Sequence, residues 1–243
     1  MSNQLRTLLL SGALLCGSAA AAQIPTSTEE VRWRAVEPSL AEVARTDAVF
    51  RDLVACVVRY QPARTRNLLD TAPGTSAEAT VLYSFQSRME TCYDYNRTGG
   101  RALGWHGNLL RGVIAEIYYH REFPQGVTPA NGVPAETTAA WAAARPAEGE
   151  RTNGDLVHAM ARCVIVRRPA EVRALLASTP FSAGERNAMR ALQPDLAFCL
   201  DTGVELSASR QSLRGLFAEA ALHYGEAQRG GFARVGRTES EQE

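Results

Sequence analysis

Four cysteines fall into two pairs with the same spacing, and this spacing reveals an internal repeat. Cys92 follows Cys56 by 36 residues, and Cys199 follows Cys163 by 36 residues. The two intervening segments align without a gap at an offset of 107 residues. Matches at this offset are Val57-Val58 with Val164-Ile165, Pro62-Ala63 with Pro169-Ala170, Leu68-Leu69 with Leu175-Leu176, Pro73 with Pro180, Glu78 with Glu185 and Asp94 with Asp201. This ordered series predicts a tandem duplication.

Flanking matches extend both copies. The pattern Leu-Arg-Gly-x-x-Ala-Glu-x-x-x-His occupies residues 110–120 and recurs at 213–223, an offset of 103 residues. Because this offset is four residues shorter, we infer a four-residue insertion after Cys92 in the first copy. Upstream, the matches at an offset of 108 are Trp33 with Trp141 and Pro38 with Pro146.

The segments outside the matches predict how the chain is divided. The segment between the copies is rich in proline and glycine, which is typical of a linker. After Gly225 the chain loses its apolar periodicity, which is typical of a disordered tail. The expected divisions are helical repeat one at 32–122, a linker at 123–139, helical repeat two at 140–226 and a tail at 227–243.

Within each copy the apolar residues recur at helical spacing, so we predict an all-α fold of two tandem helical repeats of about 100 residues. A Ser/Thr-x-x-Glu sequence predicts a capping box at a helix start. These sequences are Ser39 to Glu42, Thr75 to Glu78 and Ser182 to Glu185. The last helix of each copy carries an apolar stripe of Leu110, Val113, Ile114 and Ile117, matched by Leu213, Leu216, Phe217 and Ala220.

Other residues predict where helices begin and end. The Ser39 box should open a short helix, and a second helix should carry Val49 and the apolar residues after it. Pro62 and Pro169 suit a first helical turn, whereas Pro194 should break or kink its helix. The stretch 204–206 could form a short strand.

Four cysteines permit three disulfide pairings. Because each copy carries its own pair at the same spacing, we favour Cys56 with Cys92 and Cys163 with Cys199. Closing a loop of this length stabilises a small repeat by roughly 4 kcal/mol in the chain-entropy model.

Residues 1–22 read as a secretory signal peptide, with Arg6 before a short apolar core and a run of small residues at the end. Cleavage after Ala22 is the favoured interpretation, and lipidation of Cys16 is the alternative. An even number of remaining cysteines fits export to an oxidising compartment. We therefore expect a periplasmic or secreted protein without a transmembrane segment, because no stretch reaches about 18 apolar residues.

Composition excludes several functions. All 26 basic residues are arginine, so the chain has no lysine for a Schiff base or a P-loop. The 26 acidic residues balance this charge, which argues against nucleic acid as a partner. The common hydrolase, zinc-protease, dinucleotide and EF-hand motifs do not occur, and we expect no cofactor.

Two Glu–His pairs are weak candidates for a metal site. Glu116 with His120, and Glu219 with His223, stand four residues apart on predicted helices, so each pair shares a face. Carboxylate and imidazole groups both bind metals, and two such pairs could form a four-ligand site. The favoured alternative is a local Glu–His hydrogen bond at the edge of the core.

Two further sets of residues are candidates for binding. Arg111 and Arg214, each followed by glycine, could grip an anionic ligand, although an ion pair and close helix packing are the favoured interpretation. The loop after Cys92 is aromatic in copy one only, and aromatic residues with polar tips suit interfaces. These loop residues are Tyr93, Tyr95, Trp105 and His106.

The pattern Cys-Val-Val-Arg…Pro…Leu-Leu…Pro…Glu…Cys…Leu-Arg-Gly…Ala-Glu resembles an exported, disulfide-containing helical repeat of uncharacterised proteins in Gram-negative bacteria. The resemblance covers both copies and implies a periplasmic location but no activity. Our expected function is non-enzymatic binding of a periplasmic protein or a small ligand. The alternatives are a small carboxylate-dependent hydrolase of cell-envelope glycans and a metal-binding protein that uses the Glu/His pairs.

Overall fold

The computed structural model describes residues 39–92, 107–129, 133–143, 153–200, 208–230 and 232. Within these ranges the regular structure is entirely α-helical, which confirms the predicted all-α class. The helices are α1 (Leu40–Tyr60), α2 (Pro62–Asp70), α3 (Ser76–Cys92), α4 (Gly107–Glu122), α5 (Ala135–Ala143), α6 (Asn153–Arg167), α7 (Pro169–Ala177), α8 (Ala183–Cys199) and α9 (Arg210–Arg229).

The order of helices repeats along the chain. Helices α2 and α7 each have 9 residues and begin at a proline, and α3 and α8 each have 17 residues. One residue separates each proline from the preceding helix, Gln61 in the first half and Arg168 in the second. We call α1 to α4 repeat one and α6 to α9 repeat two, with α5 before the latter.

Both predicted disulfides are present. Cys56 bonds to Cys92 with a Cα–Cα distance of 5.7 Å, and Cys163 bonds to Cys199 at 5.8 Å. The first bridge joins α1 to the end of α3, and the second joins α6 to the end of α8. Each disulfide therefore links two helices of the same repeat.

The first helix is longer than the sequence indicated. The two helices predicted after Ser39 are one continuous helix of 21 residues, α1. Its capping box forms as predicted, because the Glu42 amide donates to Ser39 Oγ at 3.3 Å and the Ser39 amide donates to Glu42 Oε2 at 2.8 Å. The buried residues of α1 include Phe50, Leu53, Val54, Val57 and Val58.

The starts of α3 and α8 have a modified capping box. Glu78 and Glu185 each donate their amide to the preceding Thr75 or Ser182 hydroxyl, as expected. Their carboxylates, however, accept from the residue before that cap, Gly74 at 2.6 Å and Phe181 at 2.7 Å. Gly74 and Phe181 occupy equivalent positions and both have positive φ, 79° and 62°.

Three boundaries differ from the expectation. Helix α8 continues through Pro194, so the predicted break is wrong. Helix α5 begins at Ala135, inside the expected linker, and α9 runs to Arg229, three residues beyond the expected end of repeat two. Phe232 is buried beside Trp141 and Tyr224. The expected signal peptide and the possible strand at 204–206 lie outside the described residues.

Helices α4 and α9 lie at the centre of the fold and pack closely on each other. Gly112 of α4 faces Gly215 of α9, and a Cβ atom added to Gly112 would lie 2.5 Å from the Gly215 Cα. Adding one to Gly215 would place it 2.8 Å from the Gly112 Cα. The two backbones approach this closely only because neither position has a side chain. No helix in the described parts of the chain has the length and apolarity required to cross a membrane.

Candidate functional site

Two buried ion pairs cross between the repeats. Arg111 of α4 donates to Glu219 of α9 through Nε, at 2.9 Å, and through Nη2, at 2.6 Å. Arg214 of α9 donates to Glu116 of α4 through the same nitrogens, at 3.0 and 2.7 Å. We call these four residues the crossed ion pairs. They lie beside the Gly112–Gly215 contact, which brings the two helices close enough for both bonds to form.

Each arginine also closes the carboxyl end of a short helix in its own repeat. Arg111 donates to the carbonyl oxygens of Leu68, Leu69 and Thr71 at 2.8, 3.1 and 2.9 Å. A cation at this position satisfies carbonyls that the helix leaves without partners and interacts favourably with the helix dipole. Arg214 makes the equivalent bonds to the carbonyls of Leu175, Leu176 and Ser178.

A third contact completes the surroundings of each guanidinium. Arg111 Nη1 lies 3.2 Å from Glu78, and Arg214 Nη1 lies 3.3 Å from Glu185. Both arginine side chains are only 2% exposed, and every nitrogen of each guanidinium donates within the protein. These contacts favour the structural role over the anion-binding role considered for Arg111 and Arg214.

The surroundings of Glu116 are rich in arginine. In addition to Arg214, its carboxylate accepts from Arg51 Nη1 of α1 at 2.8 Å, and Arg51 is also bonded to Asp47 at 2.7 Å. His120 Nε2 lies 3.8 Å away and is half-exposed. Burial alone would raise the pKa of Glu116, but His120, Arg214 and Arg51 outweigh it and lower the pKa to about 2.

The surroundings of Glu219 contain two histidines, one of them in place of Arg51. His158 stands at the position equivalent to Arg51, at the offset of 107, and its Nδ1 lies 3.7 Å from Glu219 Oε1. His223 Nε2 lies 3.7 Å from the same oxygen. Burial would raise the pKa of Glu219, yet His158, His223 and Arg111 lower it below the ordinary range. We call Glu219, His158 and His223 the two-histidine cluster.

The two histidines differ in charge. His223 Nδ1 lies 3.0 Å from Glu226, whose carboxylate accepts from Arg66 of repeat one at 2.6 Å. Burial alone would lower the pKa of His223, but the two glutamates raise it to about 9. Burial lowers the pKa of His158, and the positive charges of Arg111, Arg162 and His223 lower it further against the pull of Glu219. At neutral pH His223 is therefore charged and His158 is neutral.

The two Glu–His pairs do not combine into one four-ligand site. Glu116 and Glu219 are 5% and 3% exposed, so they lie in the core and not at its edge, and their short contacts are to arginine. Among the described residues, no group of three or more His, Cys, Asp or Glu side chains is arranged to hold a metal ion.

The sequence patterns missed several members of this network: Arg51, Arg66, His158 and Glu226. Arg51 and His158 could have been found by aligning the two halves at the offset of 107, because they are aligned and chemically different. Arg66 and Glu226 carry no such signal, since their contact joins helices 160 residues apart.

Repeat one exposes two large aromatic side chains. Tyr60, at the end of α1, is 67% exposed, and Tyr83 of α3 is 75% exposed. Between them, Arg64 donates to the Ser84 carbonyl at 3.4 Å. At the offset of 107 the equivalent residues of repeat two are arginines, Arg167 and Arg190. The aromatic loop residues Tyr93, Tyr95, Trp105 and His106 lie outside the described part of the chain.

Comparison with known proteins adds no relative: no protein-family model, no curated protein and no solved structure matches this chain.

Proposed function

We propose that this protein is an exported, periplasmic helical repeat protein that acts without catalysis, by binding a protein or a small ligand through repeat one. Export is supported by the signal-like residues 1–22 and by two disulfides, which persist in oxidising compartments.

The aromatic difference between the repeats carries this proposal. Tyr60 and Tyr83 are largely exposed in repeat one, whereas repeat two has arginine at both equivalent positions. Exposed tyrosine offers a large apolar surface together with a hydroxyl, and tyrosine is enriched among residues that dominate binding energy. The aromatic loop that follows α3 belongs to the same repeat, so all of these candidate contacts are confined to one half of the chain.

The buried charges support binding over catalysis. A carboxylate hydrolase needs one carboxyl group with a raised pKa to act as an acid and a second near the substrate. Both buried central glutamates have lowered pKa values and are held by arginine. Their geometry favours neither the hydrolase nor the metal-binding alternative.

The test compares capture by matched variants. Wild-type protein, a Tyr60→Arg/Tyr83→Arg variant carrying the repeat-two residues, and a Phe198→Ala control are immobilised and exposed to periplasmic extract and to small-molecule fractions. Phe198 is 67% exposed but lies in repeat two. We expect a partner that the wild type and the control retain and the tyrosine variant loses. Identical captured sets for all three proteins would contradict the proposal.

Export has its own test. N-terminal sequencing of the protein recovered from the periplasm should begin at Gln23. A cytoplasmic protein that retains residues 1–22 would contradict the proposed location without affecting the binding test.

A further inference from the structure

The contacts between α4 and α9 are reciprocal. Arg111 of α4 binds Glu219 of α9, and Arg214 of α9 binds Glu116 of α4. The glycine that follows each arginine leaves room for the opposite backbone. Each half therefore supplies an arginine that donates, a glutamate that accepts and a glycine that leaves space for the backbone of the other half. This is the pattern of an isologous interface between two identical subunits.

The boundary between the repeats buries charged side chains together with apolar ones. The crossed ion pairs lie there beside Leu68 and Leu175, whose carbonyl oxygens accept from Arg111 and Arg214. Separated ion pairs recover their hydration, which offsets much of the attraction that is lost, and separated apolar surfaces have no such compensation. Rehydration of the four charged groups therefore offsets part of the cost of separating α4 from α9, and both disulfides would remain closed during such an opening.

The connection between the repeats is long enough for such an opening. Twelve residues, 123–134, separate the end of α4 from the start of α5. In the closed chain Phe123 lies against Gly225 and the Thr128 carbonyl accepts from Gln228, so an opening must release these contacts. Fully extended, the twelve residues then reach about 40 Å. Pro124, Pro129 and Pro134 lie in this segment, and proline favours extended backbone.

We propose that α4 of one copy of the chain also packs on α9 of a second copy, so that two chains exchange their second repeats and form a closed dimer. In this dimer Arg111 of each copy binds Glu219 of the other, and Arg214 of each binds Glu116 of the other. Two identical interfaces form and no interface is left open, so assembly stops at two chains.

Shortening the connection tests the exchange. Deleting residues 129–133 removes about 17 Å of reach and leaves the buried Val127 and all nine helices of the described chain in place. The matched control replaces the same five residues with a longer Gly/Ser segment of about ten residues, which remains flexible. Light scattering should give twice the monomer mass for the shortened chain and the monomer mass for the control, with both disulfides closed. A folded monomer from the shortened chain, or a shortened chain that fails to fold beside a folded control, would overturn the proposal.

A cross-link then identifies which chains are in contact. The protein has no lysine, so Arg66→Lys introduces a single lysine amine at a residue that bonds Glu226 across the two repeats. Isotopically heavy and light preparations of the shortened chain carrying this substitution are refolded together and treated with a carbodiimide. Arg66 also forms an ion pair with Glu122 of its own repeat. Peptides that join residue 66 to residue 226 should connect heavy and light chains, whereas those joining residue 66 to Glu122 stay within one chain. Peptides from 66 to 226 found within single chains only would overturn exchange even if a dimer forms.

The chain of natural length provides the final measurement. When it is refolded with its disulfides intact, the dimer fraction should increase with protein concentration and should show the same interchain cross-link. A chain that remains monomeric at every concentration would show that the interface forms within one copy only.

Discussion

In repeat one, Glu116 lies between Arg214 and Arg51, two cations that keep their charge throughout the ordinary pH range. In repeat two, Glu219 occupies the equivalent position between Arg111 and His158, with His223 beside it. Each glutamate has its central arginine and a histidine four residues on, but Arg51 is replaced by His158 in repeat two. One packing arrangement therefore accepts either an arginine or a histidine beside its buried glutamate, and the histidine can change its charge within the ordinary pH range.

The largest expected effect comes from removing the central arginines. Arg111→Met and Arg214→Met should each lower the free energy of unfolding by about 3–5 kcal/mol, because each leaves a buried glutamate without its main partner. Arg111→Met should cost more, since Glu219 then keeps only histidines while Glu116 still has Arg51. Urea denaturation with intact disulfides measures the free energy of unfolding of both variants.

The control for this pair is Arg64→Met, which removes an exposed arginine with only long contacts and should change stability by less than about 0.5 kcal/mol. Equal and small losses for Arg111→Met and Arg214→Met would show that the crossed ion pairs do not hold the repeats together.

The next effect concerns the close approach of α4 and α9. Gly112→Ala and Gly215→Ala should each cost about 1–3 kcal/mol, because the new methyl group meets backbone atoms that cannot move aside easily. The two losses should be similar, since each glycine faces the other. Gly184→Ala is the control: the nearest atom to an added Cβ is Ser182 Oγ at the helix cap, 3.5 Å away, so this substitution should be neutral or slightly stabilising. Differential scanning calorimetry that finds Gly112→Ala as stable as Gly184→Ala would argue against the packing described.

A smaller effect, confined to repeat two, should depend on pH. The pKa of His223 is raised to about 9. The contribution of His223 to the free energy of unfolding is therefore complete below about pH 6.5 and is lost as the pH rises toward 9. The lowered pKa of His158 has the opposite consequence, because below about pH 6.5 the unfolded chain takes up a proton that the folded site resists.

His223→Gln should therefore flatten the alkaline side of the stability curve, and His158→Gln should flatten the acid side. Thr80→Ala, at an exposed site without a titratable group, is the control and should leave the shape of the curve unchanged. Denaturation midpoints measured from pH 5 to 10 test both expectations, and His158→Gln and His223→Gln curves that keep the wild-type shape would contradict the role given to the two-histidine cluster.

The smallest effect concerns the turns before α3 and α8. Gly74 has a φ of 79°, so Gly74→Ala should cost about 1 kcal/mol by placing a Cβ in left-handed backbone. Phe181 already bears that strain with a φ of 62°, and Phe181→Gly should gain less than about 1 kcal/mol because it also loses a half-buried ring. Thermal denaturation that finds Gly74→Ala as stable as the wild type would show that this turn relaxes freely.

Local patterns in the sequence predicted the elements well. The helix starts at Ser39 and Ser182 were found because a cap and its glutamate are three residues apart. The disulfides were found because each copy repeats the same spacing. Pro194 misled the prediction of a helix break. The part of α8 that follows it is anchored by Asp195, which is bonded to Arg167 and Arg168, and by Cys199 in its disulfide, and this anchoring tolerates the hydrogen bond that proline removes.

Tertiary partners were harder to predict. The sequence marked Arg111, Glu116, Arg214 and Glu219 as recurring residues, but Arg111 meets Glu219 across 108 residues. Helical periodicity specifies which face of a helix is buried and not which helix covers it. The glycine after each arginine did indicate close packing, and it now identifies the partner as the equivalent helix.

The disulfide connectivity has a consequence for folding during synthesis, because the chain is made from its amino end. Cys56 and Cys92 are consecutive cysteines of the sequence, as are Cys163 and Cys199, so each bridge can close before the later part of the chain is made. Arg111 cannot form its ion pair until Glu219, 108 residues later in the chain, has been made. The first half can therefore be oxidised and compact while its future contact surface still presents an arginine and a glutamate to water.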